Sequence, residues 1–211
     1  MKTNHTVWRA GCVVLMLALL GGCSSLLLPP PPPADNVYLL EAGQAAPAAG
    51  DAAARREVVL AVGMPQARSG YDTAQMVWLR QPHKLEAYAR NRWADTPAHM
   101  LAPLLAQALE HSGRFQAVVQ APAGVAAGLR LDSELIRLQQ DFGVKPSRIE
   151  LALRVQLVDV ATRRVVASAE FAESETAPSD DAYGGVLAAN RALERLLGRV
   201  VAFCAEHTPA N

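Results

Sequence analysis

Arg148-Ile149-Glu150-Leu151-Ala152-Leu153-Arg154-Val155-Gln156-Leu157 is the stretch on which the fold class turns. Ile149, Leu151, Leu153, Val155 and Leu157 alternate with Arg148, Glu150, Ala152, Arg154 and Gln156. A period of two with apolar and polar sets kept apart describes a strand with one buried and one wet face. That is the pattern of an antiparallel sheet covered on one side. Asp159 to Arg163 supplies a turn, and Val165, Ala167, Ala169 and Phe171 resume the alternation, so the two runs are predicted to pair as a hairpin. Upstream, Gly128 to Asp141 reads as a long strand. Leu129, Leu131 and Leu135 share one parity, whereas Ile136 and Leu138 take the other, which predicts a bulge between them.

Two helices flank these strands. Thr96-Pro97 combines a side-chain cap with proline at the first helical position. Met100, Leu101, Leu104, Leu105, Ala108 and Leu109 then form one apolar face, and Gly113 ends it. Pro103 removes a donor and crowds the preceding turn, so a kink or a late start is expected there. The second helix spans roughly Asp181 to Glu206, with Tyr183, Val186, Leu187, Asn190, Leu193, Leu197, Val200, Val201 and Cys204 on one stripe. Its polar face mixes signs (Arg191, Glu194, Arg195, Arg199), which favours packing on a sheet over lying on a membrane. Shorter strands are expected at Val37–Leu40, Val58–Val62, Ala74–Leu79, Lys84–Tyr88 and Phe115–Val119, with Gln81 and Pro82 in the turn between the third and fourth. The expected fold is α+β: a mostly antiparallel sheet with two helices packed on one face, as a single domain over residues 37–211.

The N-terminus has a different character. Lys2 and Arg9 precede an apolar run from Ala10 to Leu20, which ends at Leu20-Gly21-Gly22-Cys23. Small residues directly before a cysteine suit a lipoprotein signal peptidase, and the thiol then carries the diacylglycerol. As a helix the apolar run rises only about 17 Å, too little for a hydrocarbon core of about 30 Å. Residues 1–22 are therefore read as a signal peptide and Cys23 as the lipidated residue, bearing palmitate-type acyl chains. Pro29 to Pro33 favours extended polyproline II, so residues 23–36 form a stand-off tether. From Ser24 to Asn36 it reaches at most about 45 Å. Ser24 after the cysteine points to the periplasmic face of the outer membrane. Loss of Lys2 and Arg9 leaves 18 basic against 20 acidic side chains, with no basic block. That balance argues against nucleic acid as a partner. Cys12 leaves with the signal and Cys23 is blocked, so Cys204 has no disulfide partner and packing alone must hold the core.

Reaction chemistry is hard to find. No two histidines stand at a short metal-ligand spacing, and Cys204 with His207 supplies two ligands where structural zinc needs four. Ser69-Gly70 lacks the frame of a nucleophile elbow, and Gly184-Gly185 lacks the lysine or third glycine of a phosphate loop. Asp180-Asp181 reads as a charge pair at a helix N-terminus. No cofactor, metal site or catalytic residue is expected. Tyr71, Trp78, Tyr88 and Trp93 cluster within a chain poor in aromatics. They read either as a corner of the core or as a contact surface, with Trp78, Tyr88 and Trp93 the candidates for touching a partner or lipid.

Several short segments in order resemble the ABC-type transport auxiliary lipoproteins. Tyr38-Leu39-Leu40 opens the domain soon after the cysteine, followed by Val58-Val59-Leu60-Ala61-Val62 and Met76-Val77-Trp78-Leu79-Arg80. Next come Tyr88, Trp93-Ala94-Asp95-Thr96-Pro97 leading into the first helix, and His111-Ser112-Gly113-Arg114-Phe115 closing it. Gln81 to Glu86 departs from the pattern. The resemblance implies a non-enzymatic lipoprotein serving a transporter that moves lipid between membranes. It implies an MCE-domain protein as partner, with its ABC permease and ATPase, and the capacity to assemble with further copies of the chain. A docking component is the leading expectation, acting through a sheet edge or the polar sheet face. The alternatives are a lipid carrier with its own cavity and an assembly lipoprotein for another envelope machine.

Overall fold

A computed structural model describes residues 33–43 and 56–209; the expected signal peptide, Cys23 and most of the proline run lie outside them. Nine strands and two helices follow in the order β1 (Asn36–Tyr38), β2 (Arg56–Val62), β3 (Gln66–Ala67), β4 (Gln75–Gln81), β5 (Lys84–Trp93), α1 (Pro97–His111), β6 (Phe115–Gln120), β7 (Leu129–Asp141), β8 (Arg148–Asp159), β9 (Arg164–Thr176) and α2 (Ala182–His207). Residues 35–211 form one compact unit.

The quoted stretch is β8, and Ile149, Leu151, Leu153, Val155 and Leu157 are all buried. β8 pairs antiparallel with β7 on one side and β9 on the other, and these two long ladders carry most of the sheet's pairing. The register slips between Leu135 and Arg137, where the change of parity predicted a bulge. After the slip Leu138 and Gln140 face the helices. The turn into β9 places Arg163 at φ 57°. Val165 is exposed, because the hairpin tip projects beyond the layer the helices cover.

The opposite edge of β7 is built differently. β2, β3 and β4 lie end to end along it, each parallel to β7, at Leu129–Leu131, Glu134–Leu135 and Gln140–Asp141. β6 adds parallel to β2, β5 antiparallel to β4, and β1 parallel to β5. The strand turn at β4–β5 centres on Pro82 and His83, one residue later than expected, with His83 at φ 67°.

Both helices pack on the face that carries the alternating leucines, α1 against β6, β7 and β2 and α2 against β8 and β9. Thr96 caps α1 by accepting from the His99 amide, and the helix runs uninterrupted through Pro103, which faces solvent. A proline on the outer face leaves the packed face of the helix undisturbed. In α2 the buried set is Val186, Ala189, Leu193, Leu196, Leu197, Val200, Phe203 and Cys204. Tyr183, expected on that stripe, is 56% exposed and stacks against Tyr38 instead. Small residues (Ala188, Ala189, Ala192) let the helix approach the sheet closely, and Leu196 with Phe203 fills the stripe further along.

The polar face of the sheet is a lattice of ion pairs. Arg154 bridges Glu134 and Glu170 at 3.0 and 3.1 Å, Arg68 also reaches Glu134, and Arg148 joins Asp141 and Glu150. Each exposed pair adds little to stability, and together they match the charges of Arg68, Arg148 and Arg154 within that face. At the outer edge of β9, Arg195 and Arg199 of α2 donate to the Ser174 and Ala172 carbonyls and pair with Glu173. An edge whose carbonyls are engaged by arginine is guarded against strand addition. Burial works against the Glu173 carboxylate, but bonds from Arg199 and Arg195 outweigh it and hold its pKa below the ordinary range. A depressed folded-state pKa contributes stability above the unfolded value and loses it as pH falls through the folded one. The urea midpoint should therefore drop as pH is lowered from about 5 to about 3, and Glu173→Gln should flatten part of that slope. An unchanged slope in the variant would show that this pair contributes nothing.

Candidate functional site

Among the described residues no three His, Cys, Asp or Glu side chains stand close enough to share a metal ion. Cys204 is fully buried, and burial pushes its thiol up to about 12. His207 turns away from it, its Nδ1 at 2.9 Å from the Phe203 carbonyl and its ring against Phe203. Asp181 caps α2 by accepting from the Gly184 amide, and Asp180 accepts from the Ser147 amide. Both acids are committed to holding backbone.

The two glycines after Asp181 have a packing role. Gln140, 1% exposed, donates to Ser147 Oγ and the Asp181 carbonyl and accepts from the Tyr88 hydroxyl at 2.9 Å. A Cβ on Gly185 would stand 2.3 Å from Gln140 Oε1, and one on Gly184 2.2 Å from the Ser179 carbonyl oxygen. This hub joins β5, β7, the turn before β8 and the start of α2. Burial, then the charges of Asp181 and Asp180, raise the Tyr88 pKa, which keeps its hydroxyl a donor. Tyr88, Asp181 and the glycine pair stand out in the sequence, each for a separate reason, whereas Gln140, which joins them, does not. A lone glutamine in a strand carries no periodic signal.

The aromatic cluster divides. Trp78 and Tyr88 meet at 6.2 Å between ring centroids, and Phe142 closes edge-on against Trp78 at 5.8 Å. Arg80 lies 5.5 Å over the Trp78 ring. Trp93 is 3% exposed and packs in the core, and Tyr71 donates to Gln139 on the opposite face of the sheet. Trp93, expected as a contact candidate, is therefore withdrawn from the surface, whereas Trp78 and Tyr88 are part-exposed. These residues sit where β4 and β5 turn, at the C-terminal end of β7.

A second exposed apolar group lies at the other end of β7. Val160, Val165 and Val166 on the β8–β9 hairpin, and Val125 in the loop before β7, are 40 to 57% exposed. The Val160 amide bonds the Gly128 carbonyl, which ties the hairpin tip to that loop. A half-open cleft of about 380 Å³ lies between the end of α1 and β6, lined by Glu110, Gly113, Phe115 and Val118. No helix among the described residues is long and apolar enough to cross a membrane.

Residues 38–201 match the family described as the ABC-type transport auxiliary lipoprotein component. The chain belongs to that family. No curated protein matches it closely enough to add a named activity. Among solved structures, a protein of Xanthomonas campestris is similar at 22% identity and a TM-score of 0.70, covering 82% of this chain and 96% of its own. A hypothetical protein of Chlamydia trachomatis is similar at 12% identity and a TM-score of 0.52, covering 74% and 99%. At these identities the likeness is one of fold. As an ABC-type transport auxiliary lipoprotein the chain serves a transport system, and the residues expected from that resemblance, from Tyr38 through Phe115, fall inside the matched span.

Proposed function

We propose that this auxiliary lipoprotein is a non-enzymatic docking component, anchored by lipid on Cys23 at the periplasmic face of the outer membrane. There it receives the MCE-domain protein of an ABC-type lipid transporter. The observation that carries the reading is the valine-rich hairpin end, at the opposite end of β7 from the β4–β5 turn. β1 runs parallel to β5 and pairs with its last residues, Asn36 opposite Asn91 and Tyr38 opposite Trp93, so it points toward the hairpin end. The hairpin tip stands about 40 Å from the β4–β5 turn along β7, at about 3.3 Å per residue. In the proposed orientation the anchored domain presents Val125, Val160, Val165 and Val166 away from its anchor. Exposed aliphatic side chains gathered at one end of a sheet are candidates for a contact surface. The polar sheet face is self-paired and the β9 edge is guarded, which turns attention from those two surfaces to the hairpin end.

The test is co-purification with the MCE-domain protein of the same cell. The wild-type chain should retain it, and Val165→Asp with Val166→Asp should reduce recovery at least tenfold, since charges there must be desolvated on contact. Equal recovery by wild type and variant would place the contact elsewhere. No recovery by the wild type would overturn the docking reading. The alternative is a lipid carrier with its own cavity; acyl chains retained in native mass spectra of residues 35–211 would favour it.

A further inference from the structure

We propose that the docking partner is held by strand addition: the outer edge of β6 pairs with an extended, uncharged segment of that partner, and the cleft beside α1 takes one of its apolar side chains. The inference rests on the docking reading above and names how the contact is made.

Among the described residues β6 pairs with β2 alone, so its other edge has no strand beside it. The pairing fixes which backbone groups face outward. The register runs without a break from Ala117 to Gln120, and the Ala121 amide bonds the Val62 carbonyl at 2.9 Å. In a strand the backbone groups of alternate residues face opposite sides. Ala117 and Val119 therefore bond toward β2, whereas the N–H and C=O of Val118 and Gln120 point away from it, about 6.6 Å apart. Donors and acceptors at that spacing are matched by the backbone of another extended chain. An acyl chain offers them no hydrogen bond.

The other edges of the sheet are protected. Arg195 and Arg199 engage the Ser174 and Ala172 carbonyls of β9. β1 is three residues long, and the stretch of β5 beyond it carries exposed Lys84 and Arg90. Very short strands and edge cations are common means of blocking such pairing. β6 has neither. Its sequence, Phe115-Gln116-Ala117-Val118-Val119-Gln120, holds no charge and no proline and is rich in aromatic and β-branched side chains, a composition that pairs readily with strands of its own kind. A charge on the incoming strand would face no opposite charge in β6, which argues for an uncharged segment.

This edge lies at the end of the domain where docking is proposed. β2 joins β7 at Leu129–Leu131, next to the β8–β9 hairpin, and the loop that leaves β6 carries the exposed Val125. Phe115 and Val118 line the half-open cleft of about 380 Å³ beside the end of α1, which has room for an apolar side chain from an added strand.

The full chain is tested by co-purification with the MCE-domain protein of the same cell. Wild type should retain it, and Val118→Pro should cut recovery about tenfold or more, because one backbone hydrogen bond goes unmade, with an unchanged circular dichroism spectrum. Edge strands accept proline where the amide faces outward, and Gln120→Pro repeats the test at an exposed residue. Amide exchange needs no substitution: the Val118 and Gln120 amides should exchange freely in the chain alone and slow about tenfold or more in the complex. Recovery by both proline variants equal to wild type overturns the proposal and leaves the docking reading standing. Amides that stay unprotected in the complex do the same. Protection that appears in the chain alone as its concentration rises assigns the edge to a second copy, and the proposal falls. If wild type retains no partner, the docking reading falls and strand addition to that partner falls with it.

Discussion

Cys23→Ser should leave the domain folded and its melting temperature unchanged, while membrane anchoring and transport are lost. Among the described residues the buried core runs from Leu40 to Cys204, inside the unit formed by residues 35–211. The anchor is different. Each buried methylene of an acyl chain contributes about 0.8 kcal/mol, and stable anchoring takes two chains or a chain and a second signal. Without the thiol no acyl chain is attached and that contribution is lost. Fractionation should find the variant in the soluble periplasm, and lipid transport in the whole cell should fall to the level of a deletion. A soluble variant that sustained full transport would show that the tether has no mechanical role.

Gly185→Ala should cost about 3 kcal/mol, combining overpacking with a broken buried hydrogen bond. The added carbon would need the space of Gln140 Oε1, and Gln140 cannot swing aside without leaving the Tyr88 hydroxyl, Ser147 Oγ or the Asp181 carbonyl unpaired. Gly184→Ala should be as severe, because the atom in its way is the Ser179 backbone carbonyl oxygen. Gln140→Ala alone should cost a similar amount through the unpaired groups. The cause is checked by the double variant: once the amide is gone the alanine at 185 has room, so the two effects should add to clearly less than their sum. Strict additivity in urea melts would mean that the crowding of Gln140 is not what Gly185 prevents.

These two sites differ in how they could be found. The proposal for Cys23 rests on its neighbours, since the apolar run and Gly21-Gly22 form a local pattern of the kind a lipoprotein signal peptidase reads on an unfolded chain. Gly184-Gly185 was visible only as a pair of glycines lacking the marks of a phosphate loop. Its use depends on Gln140 and Ser179, and the Gln140 contact is brought there by β7. The aromatic cluster shows the same limit. Proximity in sequence grouped Tyr71, Trp78, Tyr88 and Trp93, but the tertiary fold sends Tyr71 to one face and Trp93 into the core, and supplies Phe142 in their place.

Residues 148–157 by themselves determined a strand with one dry face. With the turn at 159–163 and the parity change after Leu135, the β8–β9 hairpin and the bulge in β7 were legible too, because each is a local pattern between neighbours in sequence. Thr96-Pro97 and Asp181 likewise marked the helix starts through caps that reach only three residues ahead. Only the tertiary structure decided that β2, β3 and β4 line up parallel along one edge of β7. Parallel partners are joined by long crossovers, which leave no turn signal to read. It also decided that Val165 projects and Tyr183 faces outward, since burial depends on how far the helices extend over the sheet. The sequence-local alternation in 148–157 thus settled which face is covered; where that cover ends, and so where a partner can touch, was settled by packing.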